Sequence, residues 1–309
     1  MTSKTLFLVA ALGVVFPACG KSGSPGVKTV ADCKAANNAA PVKLAGGTFQ
    51  MGSESHYSEE GPIREVTLPA FKIDPFEVTR ARFEKFVKET GYVSAAERKP
   101  DPKLHPGIPQ DQLVAGSALF TMALGENTAG RWQFVPGAAW HSPDGPGSRI
   151  AAELNHPVNH VTYEDALAFA KWAGGDLPTE AQWEFAARGG LDGAAYEWGD
   201  TEPDKLDIPR ANTWQGIFPV INRATDGYLA SAPVGCYEAN GYGLYDMTGN
   251  LWEWVKDSQP EANQGIIKGG SFLCADNYCR RYRPAARHPQ ELDFSTNHIG
   301  FRVVYPSEP

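Results

Sequence analysis

The sequence predicts a single α+β domain with low regular secondary structure and long ordered loops. Three observations carry this expectation. Glycine and proline number 32 and 24, about 18% of the chain against a usual level of about 12%. Helical periodicity is confined to three short, well-punctuated segments. Strands do not alternate with helices, which argues against a doubly wound dinucleotide-binding sheet. A hydrophobic content of 42% supports a folded core, and 21% charged residues exclude a disordered polyelectrolyte. The net charge of −8 excludes the basic footprint of a nucleic-acid binder. All eight tryptophans lie between Trp132 and Trp254, so the densest packing is expected there.

The elements follow in chain order. Lys4 and the apolar run Leu6 to Phe16 form a targeting signal, too short to span a membrane. Phe16-Pro17-Ala18-Cys19 and the Gly/Ser stretch after it resemble a bacterial lipobox. Residues 1–18 are then a signal peptide, Cys19 carries the lipid, and 19–41 form a flexible tether. Two or three acyl chains would hold the protein on a membrane surface, facing the periplasm or the cell exterior. Pro17 is unusual in a lipobox, so cleavage near Ala18 and secretion is the other outcome. Either places the domain in an oxidising, extracytoplasmic compartment. Structure is expected from Val42, with Val42–Ala45 and Thr48–Gly52 as a hairpin broken at Gly46-Gly47. Glu65–Leu68 and Phe71–Ile73 read as further strands.

Thr79 is an N-cap for a helix carrying Phe83, Phe86 and Val87 on one face and ending at Gly91. Glu77, just before it, fits either a cap or an ion ligand. Lys99 to Gly116 reads as a long loop. Thr162-x-x-Asp165 opens a second helix and Thr179-x-x-Gln182 a third, each closed by paired glycines. Beyond Gly190 only short segments are expected.

The cysteine count is odd: Cys19, Cys33, Cys236, Cys274 and Cys279. Cys274 and Cys279 stand at Cys-x4-Cys spacing with no second pair nearby, a poor match to a tetrahedral zinc site. Two thiolates alone suit Cu(I), and the run Arg280, Arg281, Arg283 and Arg287 would favour thiolate over thiol. On spacing alone, a structural disulfide in an exported protein is the better explanation of the pair. His156-x3-His160 has metal-like spacing, but Pro157 argues against a helix there. His105, His141 and His288 are isolated and receive no role.

The surroundings of the pair change the balance. Gly269-Gly270-Ser271-Phe272-Leu273-Cys274, Tyr278-Cys279-Arg280-Arg281-Tyr282-Arg283 and Gly300-Phe301-Arg302 resemble the C-terminal end of the formylglycine-generating enzymes, or sulfatase-modifying factors. Leu177-Pro178-Thr179-Glu180-Ala181-Gln182-Trp183-Glu184 is similar to that family's central helix. Asp246-Met247-Thr248-Gly249-Asn250-Leu251-Trp252-Glu253-Trp254 is similar to its signature loop. The general motifs also occur in iron-dependent sulfoxide synthases and non-catalytic members. The cysteine pair resembles that of the copper oxidases.

The resemblance implies a loop-rich, C-type-lectin-like domain over 42–307. It implies oxidation, with O2, of a cysteine in Cys-x-Pro-x-Arg of a sulfatase to Cα-formylglycine. Cys274 and Cys279 would bind Cu(I), Ser271 would hydrogen-bond sulfur, Trp252 would form an aromatic wall, and Arg287 would be an electrostatic or structural partner. Two structural calcium ions are also implied. One would use Asn212, Thr213, Asp226 and Tyr228, the other Asp246, Gly249, Leu251 and Glu253, oxygen donors suited to a hard cation. A monomer acting on an extended sulfatase chain with an external thiol reductant is expected. Pro284 and Val303 stand where vertebrate relatives carry disulfide cysteines, and Ala275 and His298 also depart from the pattern. Cys33 and Cys236 are left either paired or free. The competing expectation is a calcium-stabilised binding or scaffold module with Cys274–Cys279 as an inert disulfide.

Overall fold

A computed structural model of the chain describes residue 33 and residues 39–103, 105–122, 129–150 and 153–307. The signal segment and Cys19 lie outside the described residues. Among the described residues no helix is long and apolar enough to cross a membrane.

Strands β1 (Val42–Leu44), β2 (Gly47–Met51), β3 (Arg64–Leu68) and β4 (Phe71–Ile73) open the domain. The expected β1–β2 hairpin does not form. β1 pairs with β4, with Val42 opposite Ile73, while β2 pairs with β3, with Phe49 opposite Val66. Gly46, at φ +72°, turns the chain so tightly that a Cβ would lie 2.3 Å from the Leu68 carbonyl oxygen. Phe49 and Met51 alternate along β2 and are both buried. Alternation cannot choose a strand's partner.

Helix α1 (Arg80–Thr90) starts where Thr79 Oγ1 accepts from Arg82 N and ends at left-handed Gly91. The segment 99–115 contains only turns and irregular backbone among its described residues. A hairpin that local pattern had not marked follows, β5 (Gly116–Thr121) with β6 (Arg131–Pro136). Helices α2 (Tyr163–Trp172) and α3 (Glu180–Arg188) each carry the expected capping box. Phe83 of α1 stacks on Phe169 of α2, ring centroids 5.9 Å apart, at the centre of the larger core. Trp183 of α3 belongs to a second core with Phe49, Phe71, Met247 and Val255.

Past Gly190 the chain builds more sheet than the short runs implied. β7 (Trp252–Gln259), β8 (Gln264–Lys268), β9 (His288–Glu291) and β10 (Ile299–Gly300) form a sheet in the order β10-β7-β8-β9. β11 (Val304–Pro306) returns to pair with β4, so both ends of the domain share a sheet. Cys33 and Cys236 are joined by a disulfide, which ties one residue of the expected tether to the domain.

Candidate active site

Lys268 ends β8, and Gly269 and Gly270, at φ +89° and +71°, swing the chain away from the sheet. A Cβ on Gly270 would sit 2.7–3.0 Å from Tyr282 atoms, so the turn requires glycine. Lys268 is fully buried, held by Glu184 at 3.1 Å and Glu180 at 3.7 Å. Beyond the turn, Cys274 N donates to Ser271 O, and Tyr278 N and Cys279 N both donate to Ala275 O. That tight turn folds Cys279 back onto Cys274.

Both thiols are free, and Cys274 donates to Cys279 with sulfurs 3.0 Å apart. The expected alternative of a disulfide is not what the structure contains. Burial first, then the neighbouring Cys279, pushes the Cys274 thiol well up, and Ser271 pulls weakly the other way. Cys279 behaves oppositely: the hydrogen bond from Cys274 and then Arg281 outweigh burial and bring it down to about 7. The pair therefore holds one thiol and one ready thiolate.

The cysteines open on a cleft of about 240 Å³. Trp252, Ser271, Arg281, His288, His298 and Trp132 line it. Trp132 is 43% exposed, an exception to the expectation of dense tryptophan packing. Its ring lies 4.9 Å from His298, whose Nδ1 is 2.7 Å from Thr296 Oγ1. At the mouth, Tyr278 is 61% exposed and stacks on Phe218, centroids 4.1 Å apart.

The structure narrows three sequence expectations. Arg287 does not line the cleft; it pairs with Glu180 at 2.9 Å and joins the network that holds Lys268. Of the arginine run, only Arg281 acts on the thiols. Arg280 pairs with Glu202 and Arg283 with Glu60. Glu77 is not a helix cap, because Thr79 fills that role. Its carboxylate accepts from Asn250 Nδ2 and Leu251 N. His288, given no role, is a cleft residue, which only the β8–β9 pairing reveals. His156 and His160 take separate serine partners, Ser231 and Ser117.

Seven of the eight positions expected to hold calcium lie in two adjoining loops that bond to the cysteine segment, and the eighth, Glu253, is in β7. Gly249 bridges to Asn212, and a Cβ on it would lie 2.2 Å from the Asn212 oxygen. Both loops bond to the cysteine segment: Trp214 N donates to Cys274 O, Phe272 N to Asn250 O and Gly249 N to Gly269 O. Asn212 Oδ1 and Asp246 Oδ1 are buried without a partner. Burial raises Asp226 and Asp246 to about 6. Asp226 accepts from Thr213 N and Tyr228 N. Glu253 is engaged by Arg302 at 2.6 and 2.7 Å and by Trp183 at 2.8 Å. Buried acids Glu77, Glu197, Asp246 and Glu253 thus surround one arginine.

This loop-rich α+β fold, with a thiol pair beside a polar cleft, defines a sulfatase-modifying-factor domain, C-type-lectin-like in type. Residues 27–306 match the model of the sulfatase-modifying factor enzyme 1-like domain, and the chain belongs to that family. It is 45% identical over 291 residues to the formylglycine-generating enzyme of Mycobacterium tuberculosis, covering 85% of this chain and 96% of that one. It is also 40% identical over 270 residues to the inactive C-alpha-formylglycine-generating enzyme 2 of Bos taurus, covering 85% and 87%. Overall identity therefore does not separate active from inactive relatives, and the chain's own thiols must. The solved structure of PvdO from Pseudomonas aeruginosa shares the fold, with a TM-score of 0.58 and 23% identity over 86% of this chain and 94% of that one.

Proposed function

We propose that the chain is a formylglycine-generating enzyme. It oxidises a sulfatase cysteine within Cys-x-Pro-x-Arg to Cα-formylglycine, using O2, with Cu(I) held by Cys274 and Cys279. The observation that carries this reading is the reduced pair, 3.0 Å apart, open to a cleft. Two soft sulfur donors suit Cu(I) and leave room for a substrate sulfur. Among the described residues no group of three or more His, Cys, Asp or Glu side chains gathers as zinc would need. When bound, the ion would supply the oxygen chemistry.

The protein's own groups prepare that chemistry. Arg281 and Cys274 keep Cys279 ionisable near neutral pH. Ser271, fully buried, steadies the sulfur of Cys274. Trp252, 4% exposed, walls the site against water. Tyr278 and Trp132 offer flat apolar surface to an extended peptide at the mouth. Electrons come from an external thiol reductant.

Two structural calcium ions belong to the same reading. The orphaned oxygens of Asn212 and Asp246 and the excess of buried acids support them. The engagement of Glu253 by Arg302 leaves that carboxylate one open lone pair for an ion. Lipidation at Cys19 would hold a monomer on an extracytoplasmic surface, and the Cys33–Cys236 disulfide supports an oxidising compartment.

Mass spectrometry of a Leu-Cys-x-Pro-x-Arg peptide, incubated with copper, oxygen and thiol, tests the function. The expected product is a lighter aldehyde peptide, abolished in Cys274→Ala. An unchanged peptide with the wild-type protein would leave only the scaffold reading.

A further inference from the structure

We propose that His288 takes the proton from the thiol of the incoming substrate cysteine, which makes it a catalytic residue of this chain. The proposal rests on the cysteine-oxidising reading above. His288 opens β9, where it pairs with Ile267, and it lines the cleft with Cys274, Cys279 and Arg281. The Trp252 ring lies 5.8 Å from its imidazole at 31°, a wall that limits where the ring can turn.

The two cleft histidines differ in what their nitrogens do. His298 is committed, with Nδ1 at Thr296 Oγ1 and its ring against Trp132. The His288 imidazole makes no hydrogen bond among the described residues, so both of its ring nitrogens are open to a ligand. Burial, and then Arg281, hold its pKa below the ordinary value, so the ring is neutral and able to accept near pH 7. Glu59 and Glu291 act weakly in the other direction. His298 beside it is neutral too, brought down to about 3 by burial.

The chemistry requires such an acceptor. A free cysteine thiol has a pKa of about 8.5 and arrives mostly protonated at pH 7. Arg281 cannot help, because it accepts no proton and is paired with Glu59 at 2.5 Å. In the proposed step the substrate S–H bond breaks, sulfur keeps the electron pair, and the proton goes to an open His288 nitrogen. The imidazolium is stabilised by the substrate thiolate it has just formed and returns its proton to water when product leaves. Nothing is oxidised or reduced in this step.

The test measures kcat/KM for the Cys-x-Pro-x-Arg peptide from pH 6 to 9.5 in wild type, His288→Gln and His288→Ala, with and without added imidazole. Both variants should lose about a hundredfold at pH 7. The loss should shrink above pH 8.5, where the substrate thiol ionises unaided. Imidazole should restore His288→Ala but not His288→Gln. Binding of a peptide with serine in place of the cysteine should match wild type in both, separating proton transfer from a packing role. Variants within threefold of wild type at pH 7, or a loss that is constant with pH and not rescued, would overturn the assignment. If His288→Ala does not fold, the pH profile of His288→Gln decides. A wild type that makes no aldehyde refutes the parent reading, whereas an active wild type with indifferent variants refutes only the role of His288.

Discussion

Glu184→Gln should destabilise the protein and loosen the turn that presents Cys274. The carboxylate of Glu184 is 1% exposed and fully engaged. Oε1 accepts from Gly52 N at 2.7 Å and from Arg188 at 2.8 and 3.2 Å, and Oε2 from Lys268 at 3.1 Å. Removing its charge leaves Arg188 without its counter-ion and Lys268 with only the longer contact to Glu180 at 3.7 Å. Breaking a buried pair from one side costs about 3–5 kcal/mol. For a domain of this size that corresponds to a fall in Tm of about 6–20 °C. The pH dependence has a definite sign. Burial opposes ionisation, but Lys268, Arg188 and the Gly52 amide outweigh it and hold the carboxyl below its usual 4.5. Its stabilisation is complete above the unfolded value and lost as pH falls through the folded one. The gap between wild type and variant should therefore narrow below about pH 4. Thermal unfolding followed by circular dichroism at pH 7 and 3.5 measures both effects. A Tm within 2 °C of wild type at pH 7, or a gap that widens in acid, would refute the reasoning.

Three further outcomes are expected. Gly249→Ala combines a left-handed backbone at φ +77° with a Cβ 2.2 Å from the Asn212 oxygen. It should cost more than about 3 kcal/mol, read as loss of soluble protein or of Tm; a near-neutral change would show that the two loops can separate. His160 is fully buried, and burial followed by Arg80 brings it down to about 3. The unfolded chain binds its proton first, so between pH 6.5 and 5 wild type should lose about 2 kcal/mol relative to His160→Asn; denaturant titrations giving a constant difference would contradict this. Removing calcium with a chelator should lower Tm by an amount equivalent to about 3 kcal/mol if the ion is held at a hundred times its Kd. In Asp246→Ala only the ion of the Asn212–Tyr228 loop would remain to be removed, so the chelator response should fall by about half, and a response equal to wild type would count against that ligand.

Local chemistry made the helices legible. Thr79, Thr162 and Thr179 each place a side-chain oxygen over free backbone amides, and Gly91 and Gly189 adopt the left-handed end. Those effects act within one turn of the chain, so adjacent residues suffice to predict them. The thiol pair was legible for the same reason, since five residues of separation and one tight turn bring the sulfurs together. Strand partners were not. Val42 and Leu44 meet Ile73 and Phe71 rather than the strand next in sequence, because register is set by which distant faces bury together.

What the sequence determined by itself was the family, the motif-bearing loops and the identity of the sulfur donors. Only the tertiary structure decided which charges reach those sulfurs. Four arginines follow Cys279 closely and all four are paired with glutamates, but Arg281 is the one that also hydrogen-bonds to the Cys279 sulfur. His288 enters the cleft because β9 lies along β8, a pairing across more than twenty residues of chain. Electrostatic influence falls with distance and rises with burial, and both are properties of the folded chain rather than of residue order.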